Sequence, residues 1–127
     1  MFLATTNKLR RLVHVNFIGK VRVEEIKEGV ASIPQLLADM PTGFTLIMDL
    51  ERMDSMGKEC AKEIGNLMEL FDQRGIGKVI RVIPDKAKDI GLQILYLLHY
   101  SHHPPVQIRE SLSQVDKKDF LNHESSS

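Results

Sequence analysis

The order of sequence signals predicts an α/β fold: a single domain built on a mixed sheet of about five strands with about four helices. Three observations carry that prediction. Strand-like and helix-like patterns alternate along the chain. The runs at 44–50 and 78–84 are mostly apolar without alternation, as strands covered on both faces are. The stripes between them step by three and four residues, the spacing of amphipathic helices.

Taken in order, residues 12–18 place Val13, Val15 and Phe17 on one face and His14 and Asn16 on the other. That period of two is a half-buried strand ending at Gly19. The segment before it, "MFLATTNKL", reads as an antiparallel partner. Val23, Ile26, Val30, Ile33, Leu37 and Met40 then form a helical stripe, and Pro34 predicts a kink or break near Ile33. "PTG" at 41–43 is turn chemistry. Phe44 to Leu50 is the central strand.

A polar loop, "ERMDSMG", follows. Cys60 or Ala61, Ile64, Leu67, Met68 and Phe71 mark the next helix, with Lys58, Lys62, Glu63, Asn66, Glu69 and Asp72 on its wet side and Gly75 closing it. Lys78 to Pro84 is a further strand. Asp85 caps a third helix, whose inward residues are expected to be Ala87, Ile90, Ile94, Leu97 and Leu98. Val106 to Glu110 alternates and reads as an edge strand. A last, weakly periodic helix is expected around 112–121. The domain is expected to span 1–121, with a disordered tail at 122–127.

Composition narrows the function classes. The chain has 127 residues, 43% hydrophobic and 27% charged, with 17 basic and 17 acidic side chains and a formal net charge of zero. No basic field is available for generic nucleic-acid binding. No apolar run is long enough to span a bilayer, and no secretory leader is visible, so a cytoplasmic protein without a membrane segment is expected. The single cysteine, Cys60, excludes an intrachain disulfide.

The loop after the central strand is the main candidate site. In open α/β sheets ligands gather beyond the carboxyl ends of parallel strands, and this loop also leads into a helix N-terminus, which favours an anion. Ser55, with Asp49 or Asp54 beside it, reads either as a phosphorylated or hydrogen-bonding hydroxyl or as a plain helix cap. Gly57, Lys58 and Glu59 complete that surface. His99, His102 and His103 suggest metal, but no nearby acid or cysteine completes a ligand set and Pro104-Pro105 breaks the helix. Cys60 reads as a small core residue or, at a helix start, as an activated thiolate. No nucleophile elbow and no phosphate-binding glycine loop occurs. In the third helix Leu92, Leu95 and Tyr96 lie off the main stripe. A helix apolar on most sides must bury more than one face. A dimer interface, a ligand pocket or packing beneath the last strand would each explain it.

Three stretches together resemble the STAS family, the domains of anti-sigma factor antagonists and of sulfate transporter tails. "LVHVNFIGKV" resembles the family's second strand and its closing glycine. "TLIMDLERM" resembles its central strand. "RGIGKVIRV" resembles its next glycine and strand. The likeness runs over about residues 12–110. Family antagonists carry Asp-Ser-Ser-Gly, or a close variant, at the helix start, and the second serine takes a phosphate. "DSMG" resembles that motif, but counting without gaps from Asp49-Leu50 puts the motif on Gly57, Lys58, Glu59 and Cys60. The resemblance therefore places Glu59, with one fixed charge, where a phosphoserine of about −1.5 to −2 would stand.

The resulting expectation is a non-enzymatic STAS-like interaction or regulatory module, without a cofactor. It would act through Asp54, Ser55, Gly57, Lys58 and Glu59 on a protein partner or on a second copy of itself. The alternative is a carrier of a small molecule, a lipid or nucleotide, using Leu92, Leu95 and Tyr96. An enzyme using Asp54, Ser55 or the histidines is the third reading.

Overall fold

The computed structural model describes residues 1–115. The elements are β1 (Phe2–Asn7), β2 (Leu12–Phe17), β3 (Gly19–Val21), α1 (Val23–Leu36), β4 (Thr45–Asp49), β5 (Met53–Met56), α2 (Ala61–Gln73), β6 (Lys78–Val82), α3 (Asp89–His99) and β7 (Val106–Arg109). Short 3₁₀ turns precede α2 at Lys58–Cys60, precede α3 at Lys86–Lys88, and follow β7 at Leu112–Gln114.

The main sheet has the order β1-β2-β4-β6-β7, with β1 antiparallel to β2 and every other pair parallel. The predicted hairpin is present, in the register Phe2↔Phe17. The central strand is indeed central, and every residue of β4 and of β6 is buried. Parallel register lines up Val13, Leu46, Val79 and Val106 across the sheet. The next row beneath the helices contains Val15, Met48 and Arg81.

The three α-helices share one face of the sheet, and their stripes build the main core with Val15, Phe17, Leu46 and Met48. Ile26, Ile33, Ile64 and Phe71 are fully buried; each such side chain contributes roughly 1.5–3 kcal/mol by leaving water. A smaller cluster of Ile47, Ile80 and Val82, with Leu12 and Val115 against it, lies on the opposite face. Gly75 sits at φ +84° just after α2, a conformation that suits glycine at a helix end.

Several expectations are corrected. Pro34 does not break α1 near Ile33; it lies in the last turn, and the helix runs on to Leu36. A lost backbone hydrogen bond costs least where the ladder is about to end. The described residues contain three α-helices rather than four. Of the helix expected at 112–121, a 3₁₀ turn forms at Leu112–Gln114; the remainder and the tail at 122–127 lie outside the described residues.

The loop "ERMDSMG" contains a strand. Residues Met53–Met56 form β5, which pairs in parallel with β3 through Lys20↔Ser55 and Val21↔Met56, a small second sheet beside the first.

The third helix faces the other way round. Leu92 and Tyr96 are buried and Leu95 is half-buried, whereas Ile90, Ile94, Leu97 and Leu98 are 65, 54, 57 and 72% exposed and Ala87 is exposed too. Arg81 supplies the reason. It is fully buried on the helix side of β6, and a buried guanidinium needs acceptors. Asp89 and Gln93, one helical turn apart, provide them. Arg81 Nε lies 2.9 Å from Asp89 Oδ1 in an ion pair, and its Nη2 donates to Gln93 Oε1 at 2.6 Å and to Asp89 Oδ2 at 3.5 Å. Turning these two inward turns the Ile90 to Leu98 stripe out.

Asp72, expected on the wet side of α2, is 7% exposed. Its Oδ1 meets His102 Nδ1 at 3.0 Å and accepts the His102 amide at 3.3 Å.

Candidate functional site

The chain leaves β2 and β4 at the same edge, because the two strands are parallel neighbours. Their continuations, β3 into α1 and β5 into α2, run side by side there. Between them lies an open cleft of about 550 Å³, lined by Lys20, Arg22, Glu24, Ser55, Gly57 and Glu59 together with Val21, Val23 and Met56. Three of the five residues expected to form the partner surface, Ser55, Gly57 and Glu59, thus share one hollow. Asp54 and Lys58 are exposed beside it.

Ser55 and Asp54 are not helix caps. Both belong to β5, and Gly57 occupies the position before the turn that opens α2. The Ser55 hydroxyl has no hydrogen-bond partner among the described residues, and Asp49 is not beside it. Asp49 lies on the opposite face of the sheet, where its Oδ2 meets His14 Nε2 at 2.9 Å and its Oδ1 accepts the Glu51 amide at 3.1 Å. Burial pushes the Asp49 carboxyl up, but these two hydrogen bonds, together with the nearby positive charge of Arg52 and the His14 ring, hold the group below the ordinary carboxylate range.

The Glu59 carboxylate folds back over Gly57, into the space that a side chain at position 57 would fill. It therefore places a negative charge at the start of the helical segment, where the dipole favours one. Cys60, directly after it, is fully buried, with Sγ 4.0 Å from the Val21 carbonyl. Burial, reinforced by the Glu59 charge, pushes its thiol up. That is the behaviour of a core residue rather than an activated nucleophile.

A second hollow opens on the far side of Met56 and Gly57. It holds about 280 Å³ between the N-terminal halves of α2 and α3, and its walls include Ala61, Ile64, Leu92, Ile94 and Leu95, with Lys88 at the rim. Two of the three residues expected to line a ligand pocket, Leu92 and Leu95, are here. Tyr96 is elsewhere: its hydroxyl donates to the Pro104 carbonyl at 2.7 Å, and its ring packs on Tyr100 at 5.5 Å.

The histidines are drawn apart by different partners. His99 pairs with Glu69, His102 with Asp72, and His103 Nε2 lies 3.5 Å from the Leu97 carbonyl. Among the described residues no group of three or more His, Cys, Asp or Glu side chains could hold a metal ion. No described helix is long and apolar enough to cross a membrane.

Sequence reasoning missed the β2-side wall, Lys20, Arg22 and Glu24. The signal was present in the parallel pairing it expected. Two parallel neighbours must deliver both of their following connections to the same edge.

No family model matches the chain, and no curated protein matches it. A solved structure does: an uncharacterised protein of the DUF3478 family with a SpoIIAA-like fold, from Shewanella loihica PV-4. It superposes with a TM-score of 0.64 at 14% identity, over 97% of this chain and 91% of that one. At that identity the likeness establishes the fold, which is SpoIIAA-like, the STAS-type arrangement that the sequence resembles.

Proposed function

We propose that this chain is a non-enzymatic, STAS-like binding module that receives a protein partner on the ridge formed by Met56 and Gly57. The observation that carries this reading is that both hollows meet there. Met56 and Gly57 line the charged cleft on one side and the apolar groove on the other. A partner segment crossing the ridge would set an apolar side chain between α2 and α3 and polar groups against Lys20, Arg22 and Glu59. Apolar anchors with a polar surround are how interfaces concentrate affinity.

Three features support a non-catalytic role. The Ser55 hydroxyl is hydrogen-bonded to no base among the described residues. Cys60 is sealed in the core. Two histidine–aspartate pairs, His14 with Asp49 and His102 with Asp72, have no serine or cysteine hydrogen-bonded to the imidazole among the described residues.

Gly57→Trp tests the ridge. Gly57 has φ −72° and ψ 162°, which any residue adopts, and only the end of the Glu59 side chain must move aside. The bulky ring would stand on the ridge and obstruct a segment crossing it, in a protein that still folds. The expected result is loss of a co-purifying partner from tagged Gly57→Trp and its retention by Ser55→Ala. Equal recovery with wild type and Gly57→Trp, both folded by circular dichroism, would sink the proposal.

The apolar groove favours a second reading, a carrier of an apolar small molecule whose anionic end would meet Lys88. Native mass spectrometry of freshly purified protein would then show an adduct, and a clean unliganded mass counts against it.

A further inference from the structure

We propose that the free edge of β1 takes an extended, basic segment of a partner protein as a further strand of the main sheet. The groove beside that edge shares no residue with either hollow at Met56 and Gly57, and the inference goes beyond the function proposed above.

The backbone of the hairpin identifies what the edge can take. Met1 and Ile18 exchange both of their backbone hydrogen bonds. In an antiparallel pair such exchanges recur at every second residue, so Leu3, Thr5 and Asn7 turn their N–H and C=O groups to β2. Those of Phe2, Ala4 and Thr6 point away from the sheet, and no described residue hydrogen-bonds to them. Donors and acceptors alternating along one line are the complement of another extended chain.

This edge is held in place but not shielded. The Phe2 ring occupies the place of a side chain at Gly29 and meets Phe17 edge-on at 5.3 Å. Just beyond the other end of the strand, Lys8 is tied to Asp39 at 2.9 Å. Sheet edges are ordinarily protected by shortness, charge, proline or a bulge. At the opposite edge, β7 has four residues, follows Pro104 and Pro105 and carries Arg109. By contrast β1 has six residues in unbroken register, with neither a charged side chain nor a proline.

The groove gives the chemistry of the partner. It holds about 320 Å³ between β1 and α1, and its walls include Phe2, Ala4 and Leu36 together with Glu25, Glu28 and Ser32. Every second side chain of an added strand would enter it. Glu25 is held by the amino-terminal ammonium group and by the Arg22 amide. Glu28 is exposed with no partner among the described residues, and no lysine or arginine lines the groove. A basic side chain on the new strand therefore meets an attractive charge and an acidic one a repulsive charge. A second copy of this chain is the poorer occupant. Joined edge to edge, it would bring its own α1, and a second Glu28, to the same groove. A bare extended segment brings neither.

The test is nuclear magnetic resonance of the isotope-labelled full chain, titrated with three short capped peptides. One alternates lysine with valine, one has glutamate in place of lysine, and one is the lysine peptide with all its backbone amides methylated. The lysine peptide is expected to shift the amide signals of Phe2, Ala4 and Thr6 and to leave those of Ser55, Met56 and Gly57 unmoved, which keeps this result separate from the ridge. The methylated peptide should not bind. The glutamate peptide should bind about fivefold more weakly, and Glu28→Lys, an exposed change that leaves the fold intact, should weaken the lysine peptide by about the same factor at low salt. No shift of those three amides at millimolar peptide, or equal binding of the methylated peptide, overturns the inference. So does a wild type that dimerises through the same amides, which would give the edge to a second copy.

Discussion

The imidazole of His99 occupies the space that a side chain at Gly65 would need. A Cβ built on Gly65 would fall within 2.7 Å of His99 Cε1 and 2.8 Å of Cδ2, closer than such atoms ever come. Gly65 lies in the middle of α2, where glycine costs about 1 kcal/mol relative to alanine. The bare position lets α3 end against α2, and Glu69, one turn further along, holds the ring in place.

Gly65→Ala should therefore destabilise the protein in spite of its better helix propensity, by roughly 1–3 kcal/mol from overpacking. His99→Ala on the same background removes the obstruction and should return most of that loss. Urea denaturation of the two single variants and the double variant checks the coupling. Additive effects of the two substitutions would show that the ring and the glycine do not share that space.

Arg81 and Asp89 make the second prediction. Arg81 is fully buried, its partner Asp89 is largely buried, and the guanidinium lies 5.9 Å from the Tyr96 ring centroid. Removing one member leaves an uncompensated buried charge, a loss of about 3–5 kcal/mol. Arg81→Leu should cost that much. Arg81→Leu with Asp89→Leu should cost clearly less than the sum of the two single changes, because the double variant leaves no lone ion. Chemical denaturation of the complete cycle measures the interaction directly.

The same pair marks where the sequence stops being legible. The sheet, its hairpin, the central strand and two of three helices could be read because their apolar residues recur at a period that only one face satisfies. In α3 the period fails: Ile90, Ile94, Leu97 and Leu98 form as good a stripe as Leu92, Leu95 and Tyr96. The choice between them is made by Arg81, a fully buried charge inside β6, which needs Asp89 and Gln93 beneath the helix. Reading the buried arginine first would have oriented the helix. The strand β5 was hidden for a different reason. Met53 to Met56 has no alternation to notice, and its pairing with β3 is a contact between residues more than thirty positions apart. The second wall of the site, Lys20, Arg22 and Glu24, follows instead from the parallel pairing of β2 with β4, which brings it to the edge where Ser55, Gly57 and Glu59 lie.

The last prediction concerns acid. Asp49 and Asp72 both lie below the ordinary carboxylate range of about 3.9. In each case burial pushes the carboxyl up; hydrogen bonds from His14 and the Glu51 amide, or from the His102 ring and amide and Ser101, together with neighbouring positive charge, more than reverse it. A carboxyl group whose pKa is lower in the folded chain than in the unfolded one takes up its proton at a lower pH when folded. Its contribution is complete at pH values above the unfolded pKa and is lost as pH falls through the folded one. Stability should therefore hold on acidification to about pH 5 as far as these two groups are concerned, then fall steeply below about pH 4. Asp49→Asn and Asp72→Asn should be less stable than wild type at neutral pH, and each should show a shallower decline below pH 4, because the group that titrates is gone. Urea midpoints measured from neutrality down to about pH 2.5 would show converging curves. Curves that stay parallel to wild type over that range would mean that neither carboxylate is held by its histidine in solution.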